Sequence, residues 1–388
     1  MKKRFKVAII CDAGFNTGTF YYAIRLAEEL SSLGCDVSLV TPVRLSDVKA
    51  KQVVLKSVLF KLPFAGRPYW LLSLYRRLRK YDFDIIHSFG YGIMNLLPFD
   101  IYKHTLKVTS ISDVICDNKE MRGKSFAMWF IVKFLQPPHI RFNDLLIIST
   151  QYTRGEMVRI RKAPAEKLRV SHLGVAENFG KIKNKSVLDK ARKRLNLPDK
   201  FIINTGGIKI SKNIVNMIKA FKIISRQHPD VHLVFSGKLN TSSHAPDYHK
   251  KVYHEIMKLD KEAQEKFHFL SFVSEKDLEA LYNLAALLFM PSLEEGFGLP
   301  MLEAMRSGIP VVTSNVSCMP EVAGGAALLC SPYEPKDMAR KVDMVLRSKQ
   351  LADSLVNKGL KRVKNFTWKQ TAKRAYAFYQ EAWKKKFG

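Results

Sequence analysis

The chain has 388 residues, with 64 Lys and Arg against 35 Asp and Glu, giving a formal net charge of +29. A content of 47% hydrophobic and 26% charged residues is that of a globular chain long enough for two or three domains, and it excludes a disordered basic tail. The positive excess runs through both halves and biases the chain toward phosphate-bearing partners, without choosing among nucleic acid, anionic lipid and phosphorylated substrates.

The opening MKKRFKVAIICD imitates a signal peptide, but its apolar run Val7–Cys11 is stopped by Asp12, too early for a signal core. Phe5–Cys11 reads instead as a buried parallel strand, with Gly14, Asn16 and Gly18 as a loop. Phe20–Leu33 follows as a helix, with Ala23, Leu26, Ala27 and Leu30 at helical spacing and Gly34 at its C-terminal stop. Val37–Val40 completes a βαβ unit, the building block of doubly wound sheets. Asp84–His87, Lys107–Ile111 and Leu145–Ser149 are the next strands, and the polar, basic stretch 181–200 reads as a linker. A second series then begins with strand Phe201–Asn204, loop Gly206–Lys212, helix Ile214–Ser225 and strand Val231–Phe235. Strands His268–Phe272, Ala286–Met290, Pro310–Thr313 and Ala327–Cys330 alternate with helices Glu275–Asn283, Leu299–Ser307 and Lys336–Ser348. The expected class is therefore α/β: two Rossmann-like doubly wound domains, residues 1–180 and 201–365, facing each other across a cleft. A C-terminal helix in 366–388 is expected to pack back toward the first domain.

The five cysteines, Cys11, Cys35, Cys116, Cys318 and Cys330, show no metal-ligand spacing and predict free buried thiols in a reducing compartment. The charge-free stretches Ile85–Phe99 and Ala280–Leu293 fall short of the roughly 18 residues that span a bilayer. A soluble or peripheral, cytoplasmic protein is expected.

The chemistry concentrates in residues 291–305, PSLEEGFGLPMLEAM. An apolar strand runs into a loop whose glycines, Gly296 and Gly298, precede a helix with Pro300 in its first turn, where a missing N–H does no harm. Open backbone N–H groups from Gly296 through Phe297 and Gly298 to Leu299, with the helix N-terminus, suit a diphosphate. Glu295 and Glu303 cannot bind phosphate themselves and suit sugar hydroxyls. An ordinary helix N-terminus flanked by surface glutamates fits the same residues, and the residues alone leave both readings open.

This stretch resembles the Glu-x7-Glu signature of retaining glycosyltransferases of the GT-B fold, glycosyltransferase family 4 (group 1). The resemblance continues through Gly308–Val312, Pro320–Ala326, Ser331-Pro332 and Phe366-Thr367-Trp368, and upstream through Leu278, Leu281, Tyr282 and Ala285. It is close over 201–368 and looser over 1–180. It implies a hexose transferred from a nucleoside-diphosphate sugar, as co-substrate, to a hydroxyl of a lipid-linked or polysaccharide acceptor, with retention. Neither a protein nucleophile nor a further cofactor is implied. Glu303 takes the part of the ribose-binding carboxylate, Glu295 and its neighbours that of the sugar grip, and Lys212 that of the cation on the leaving diphosphate. Gly206, Gly207 and Gly18 fall in the phosphate-approaching loops, and Phe272 and Val273 fall where the base is cradled. Two positions depart from the pattern: Gly207 stands where many members carry Arg, leaving Lys209 as the nearest alternative cation, and Ser112-Asp113 replaces a His–Asp pair. Asp113 is retained as an acceptor-side candidate. The competing reading is a non-catalytic nucleotide-sugar-binding protein of the same fold.

Other features carry less. Asp82-Phe83-Asp84 has the form of a metal-binding D-x-D triplet but opens a strand, and no metal is expected. His87 fits a structural or a cleft-facing role, and His244, His249 and His254 read as surface. The segment Arg44–Lys80 holds ten Lys/Arg and one Asp, interleaved with aromatic and aliphatic residues. With Met121–Phe142 it reads as cationic, amphipathic and suited to an anionic membrane surface. Nucleic acid is not expected, since no stacking or zinc motif accompanies the charge.

Overall fold

In a computed structural model of the chain, the described residues are 4–11, 18–46, 48–55, 77–78, 80–90, 104–112, 140–242, 245–271 and 273–388. They form two compact units, Met1–Gly174 with Thr367–Gly388, and Val175–Phe366.

The first unit is built on strands β1 (Lys6–Ile10), β2 (Asp36–Thr41), β3 (Lys51–Val54), β4 (Ile85–Phe89), β5 (Leu106–Ile111), β6 (Leu145–Ile148) and β7 (Leu168–Val170). They pair in parallel in the order β3-β2-β1-β4-β5-β6-β7. Strands covered on both faces must be apolar along their length, and Val7–Ile10 and Leu145–Ile148 are buried at every position. Helix α1 (Gly18–Ser32) buries Ala23, Leu26, Ala27 and Leu30 along one stripe. Helix α2 (Gln151–Arg161) is N-capped by Thr150, whose side chain accepts from the Thr153 N–H. The C-terminal helix, Trp368–Phe387, packs on α1, β5 and β6, and its Thr371 hydroxyl donates to His172 O at 2.8 Å.

His87, on β4, is structural. Its Nδ1 lies 2.6 Å from the Tyr379 hydroxyl of the C-terminal helix and its Nε2 lies 2.8 Å from Ser110 Oγ. Burial pushes its pKa down to about 3, so the imidazole is neutral. Asp84, of the D-x-D triplet, accepts the Lys6 N–H at 2.8 Å, and Phe83 is buried against Ala8 and Ile10.

The second unit contains β8 (Phe201–Thr205), β9 (His232–Ser236), β10 (Phe267–Leu270), β11 (Leu287–Met290), β12 (Val311–Ser314) and β13 (Leu328–Cys330), all parallel, in the order β10-β9-β8-β11-β12-β13. The helices in chain order are α3 (Lys185–Arg194), α4 (Ile214–Gln227), α5 (Asp247–Met257), α6 (Lys261–Glu265), α7 (Glu275–Leu284), α8 (Leu299–Arg306), α9 (Met319–Ala323), α10 (Pro335–Arg347) and α11 (Lys349–Arg362). The core sets Ile214, Met217, Ile218, Phe221 and Ile224 of α4 against Leu233, Phe235, Leu287 and Phe289.

The division between units differs from the sequence boundaries. It falls at Gly174 and again at Phe366, and residues 181–200, read as a linker, hold α3, capped by Asn184 and packed on α7. Arg194 of α3 pairs with Asp277 of α7. The basic composition that suggested a linker is the solvated face of this helix, of which only Ala191 is buried. Strand β10 also ends at Leu270, short of Phe272, which lies outside the described residues.

Asp113, most of Arg44–Lys80 and nearly all of Met121–Phe142 lie outside the described residues as well. Within the first cationic segment, Lys51–Val54 forms edge strand β3, which the sequence did not single out. Among the described residues no helix is long and apolar enough to cross a membrane. Cys11, Cys35, Cys318 and Cys330 are buried, Cys35, Cys318 and Cys330 as free thiols, and burial pushes the Cys35 thiol up to about 11 and that of Cys330 to about 12. Cys116 lies outside the described residues.

Candidate functional site

Strand order reverses between β8 and β11, which are hydrogen-bonded neighbours although Leu287 comes 82 positions after the end of β8 at Thr205. Loops leaving the carboxyl ends of two such strands diverge to opposite faces and open a crevice, the usual ligand position in a doubly wound sheet. The two loops here are Gly206–Asn213 after β8 and Pro291–Gly298 after β11, the two segments that carry Lys212 and Glu295.

Lys212 ends a tight turn, Ile210–Lys212, and Asn213 follows with φ 61°, a left-handed conformation that Asn tolerates. Asn213 Nδ2 donates to Pro291 O at 3.0 Å and to Pro332 O at 2.6 Å, while the Leu293 N–H donates to Ser211 O at 2.8 Å. The bonds to Pro291 and Ser211 fix the two loops to each other, and the bond to Pro332 ties them to the segment after β13. Gly206 has φ +107°, and a Cβ there would lie 2.7 Å from both Cε and Nζ of Lys212. The lysine thus fills the space a side chain at 206 would need.

Lys212 Nζ donates to Glu295 Oε1 at 2.6 Å, and the two side chains are only 9% and 11% exposed. Ser292 Oγ donates to the same carboxylate oxygen at 2.7 Å. An incoming polyanion meets a cation held this far from water with little screening. Gly298, with φ +83°, caps α8, whose first residues are Leu299 and Pro300. Gly296, Phe297 and Gly298 therefore form the turn between Glu295 and a helix N-terminus, which carries partial positive charge. The Phe297 ring is buried, with its centroid 5.9 Å from that of Phe366.

Glu303 lies in the second turn of α8. Its Oε2 accepts the Tyr282 hydroxyl at 2.8 Å, and that hydroxyl is 3.1 Å from Thr205 Oγ1 at the end of β8. Burial pushes the Glu303 carboxyl up to about 7, against the Tyr282 hydrogen bond, which pulls it down. The carboxyl therefore titrates near neutral pH.

The structure brings Gly206, Lys212 and Glu295 into contact, with Gly207 beside them, and joins Glu303 to β8 through Tyr282 and Thr205. Lys209 is exposed and outside the Lys212–Glu295 pair. Val273 lies between β10 and α7, two strands along the sheet from β8. Gly18 opens α1 in the first unit, where a Cβ would meet nothing within 4 Å among the described residues. Among the described residues, no group of three or more His, Cys, Asp or Glu is placed to hold a metal. Asn213, Ser292 and Ser317 were given no role from the sequence, and Tyr282 entered only as part of the family resemblance, with no part in the site. Asn213 and Ser292 adjoin the motif residues, Tyr282 reads as core beside Leu281, and Ser317 carries no local signal.

Residues 188–362 match the family model "Glycosyl transferases group 1", and residues 17–179 match "Glycosyltransferase Family 4". The serotype-specific mannosyltransferase WbdA of Escherichia coli is 28% identical over 237 residues, 59% of this chain and 28% of that protein. This chain therefore spans well under two thirds of that relative's length. The D-inositol 3-phosphate glycosyltransferase of Corynebacterium aurimucosum is 22% identical over 96% of this chain and 92% of its own. Among solved structures, HepE of Anabaena, in complex with UDP and glucose, superposes with a TM-score of 0.77 at 17% identity, covering 97% of this chain and 100% of that one.

Proposed function

The chain belongs to the group 1 glycosyltransferases of family 4, with the GT-B fold of two Rossmann-like units, and from that premise we propose that it moves a hexose from a nucleoside-diphosphate sugar to an acceptor hydroxyl with retention at the anomeric carbon. The observation that carries this reading is the buried Lys212–Glu295 pair at the β8/β11 switch point, directly before the N-terminus of α8. In the proposed reaction the donor diphosphate takes Lys212 and the α8 N-terminus as its positive partners. Charge on the leaving diphosphate grows as the glycosidic bond lengthens, so a preorganised, poorly solvated cation stabilises the transition state more than the ground state. Glu303 accepts from the ribose hydroxyls, and Glu295 accepts from the hexose. The acceptor delivers its proton to the departing diphosphate oxygen on the same face, and neither glutamate serves as the nucleophile of a retaining hydrolase.

The name of the Escherichia coli mannosyltransferase WbdA favours mannose as the first hexose to test, and the acceptor hydroxyl is proposed to belong to a lipid-linked or polysaccharide acceptor. No cofactor beyond the donor itself is called for. An anionic membrane surface at the cytoplasmic face suits the +29 charge and such an acceptor. The test is release of nucleoside diphosphate from GDP-mannose, UDP-glucose and related donors, with the anomer of the product read by NMR. The expected result is release from one donor class with retained configuration, abolished by Lys212→Ala and by Glu303→Ala in folded protein. Binding without release would leave a nucleotide-sugar-binding protein, and inversion would refute the mechanism.

A further inference from the structure

Ser317 is one of four non-glycine residues with positive φ among the described residues, at +57°. For an L-residue other than Gly, Asn or Asp this conformation costs about 1–2 kcal/mol, so a serine here calls for a reason. The side chain supplies one. Ser317 lies in the turn after β12, and its Oγ accepts the Glu295 N–H at 3.2 Å and donates to Glu295 O at 3.1 Å. The adjacent Cys318 Sγ reaches the same carbonyl at 3.3 Å. The β12–α9 turn thus holds the backbone of Glu295 on both polar groups, while Ser292 and Lys212 hold its carboxylate.

We propose that Ser317 is a positioning residue for Glu295: its left-handed backbone is tolerated because only there does its hydroxyl bridge the N–H and C=O of the residue that grips the donor sugar. Ser317 acts through Glu295, the residue to which its hydroxyl bonds. Positioning of this kind bears on the transition state, because displacement of a catalytic group by a fraction of an ångström lowers kcat more than it weakens ground-state binding. The inference rests on the proposed role of Glu295 in transfer, but the hydrogen bonds themselves are independent of it.

Two substitutions separate positioning from stability. Ser317→Gly removes the hydroxyl and relieves the backbone, whereas Ser317→Thr keeps the hydroxyl and worsens the backbone with a β-branched side chain. The expected result is crossed. Ser317→Gly keeps or raises the melting temperature yet loses roughly tenfold or more in kcat with little change in donor KM. Ser317→Thr melts lower but keeps kcat within about threefold of the parent. Activity that follows melting temperature across both variants, or wild-type kcat in Ser317→Gly, overturns the proposal. Hydrogen exchange at the Glu295 amide supplies a readout that needs no turnover: protection falls in Ser317→Gly and persists in Ser317→Thr. Unchanged protection in Ser317→Gly overturns the inference even if no donor is ever found. Lost protection in a protein that turns over no nucleotide sugar instead sinks the proposed function and leaves the clamp standing.

Discussion

Glu295→Gln tests the charge relation at the centre of the site. The substitution keeps the length of the side chain and an acceptor oxygen for the Ser292 hydroxyl, and removes only the charge facing Lys212 at 2.6 Å. Both side chains are about nine-tenths buried, so the lysine is left with an uncompensated charge in a poorly solvated position. Breaking such a pair from one side typically costs ~3–5 kcal/mol. For a unit of this size, with about 2–4 °C per kcal/mol, the lower end corresponds to a melting temperature about 6–12 °C below the parent. A diphosphate offers Lys212 a new partner and no longer competes with a neighbouring carboxylate. Recovery of ~1.4 kcal/mol of the lost stabilisation would tighten nucleoside diphosphate binding tenfold. The expected phenotype is therefore a less stable protein that holds the released product more tightly and transfers sugar more slowly. Scanning calorimetry gives the first quantity, and isothermal titration with UDP, GDP, ADP and CDP gives the second. An unchanged melting temperature together with equal or weaker diphosphate affinity would show that Glu295 is not the counter-charge of Lys212.

Gly206→Ala places a methyl group 2.7 Å from Lys212 Cε and Nζ at a backbone φ of +107°, so the lysine must move. A loss of ~1–3 kcal/mol of stability and at least tenfold of diphosphate affinity is expected, measured by urea unfolding and calorimetry. Glu303 makes the protein sensitive to pH. Its carboxyl rises from 4.5 to about 7 on folding, so the native state holds the extra proton between those values. Stability from this group is full below the unfolded value and is lost as pH rises through about 7, and Glu303→Gln removes that loss in urea titrations at about pH 5 and pH 8. Donor binding moves the opposite way, strengthening as Glu303 ionises. Tyr282→Phe deletes the 2.8 Å bond that holds the carboxyl down, and is expected to shift the midpoint of pH-dependent nucleotide binding upward. An unmoved midpoint would exclude Glu303 as the titrating group. In the first unit, Tyr379→Phe leaves His87 Nδ1 unpaired in the core and should cost ~1–3 kcal/mol of stability without changing diphosphate affinity, read by the same two methods.

Much of the second unit was legible in the sequence because buried parallel strands must be apolar throughout and their helices must carry one apolar stripe. Leu287–Met290 and the α4 residues from Ile214 to Ile224 show both patterns without ambiguity. Strands β3 and β7 escaped notice because Lys51–Val54 and Leu168–Val170 are edge strands of four and three residues set among cations. Residues 181–200 misled for a related reason: a helix with one buried residue has the composition of a linker. At the site, Lys212, Glu295 and Glu303 were found because motif spacing marks charged residues near glycines. Their supports were not. Tyr282 is buried like any core aromatic, and Ser317 acquires its meaning only from a φ of +57° and a contact with a residue 22 positions away. Hydrogen bonds between loops at the ends of neighbouring strands leave no trace in local sequence pattern.

The most direct measurement is calorimetric titration of UDP, GDP, ADP and CDP into the wild-type protein and into Lys212→Ala. One nucleoside diphosphate should bind the wild type, and its affinity should fall about a hundredfold, ~2.7 kcal/mol, when the buried cation is removed. Binding that is indifferent to Lys212, or no binding of any of the four, would contradict a diphosphate site at the β8/β11 switch point.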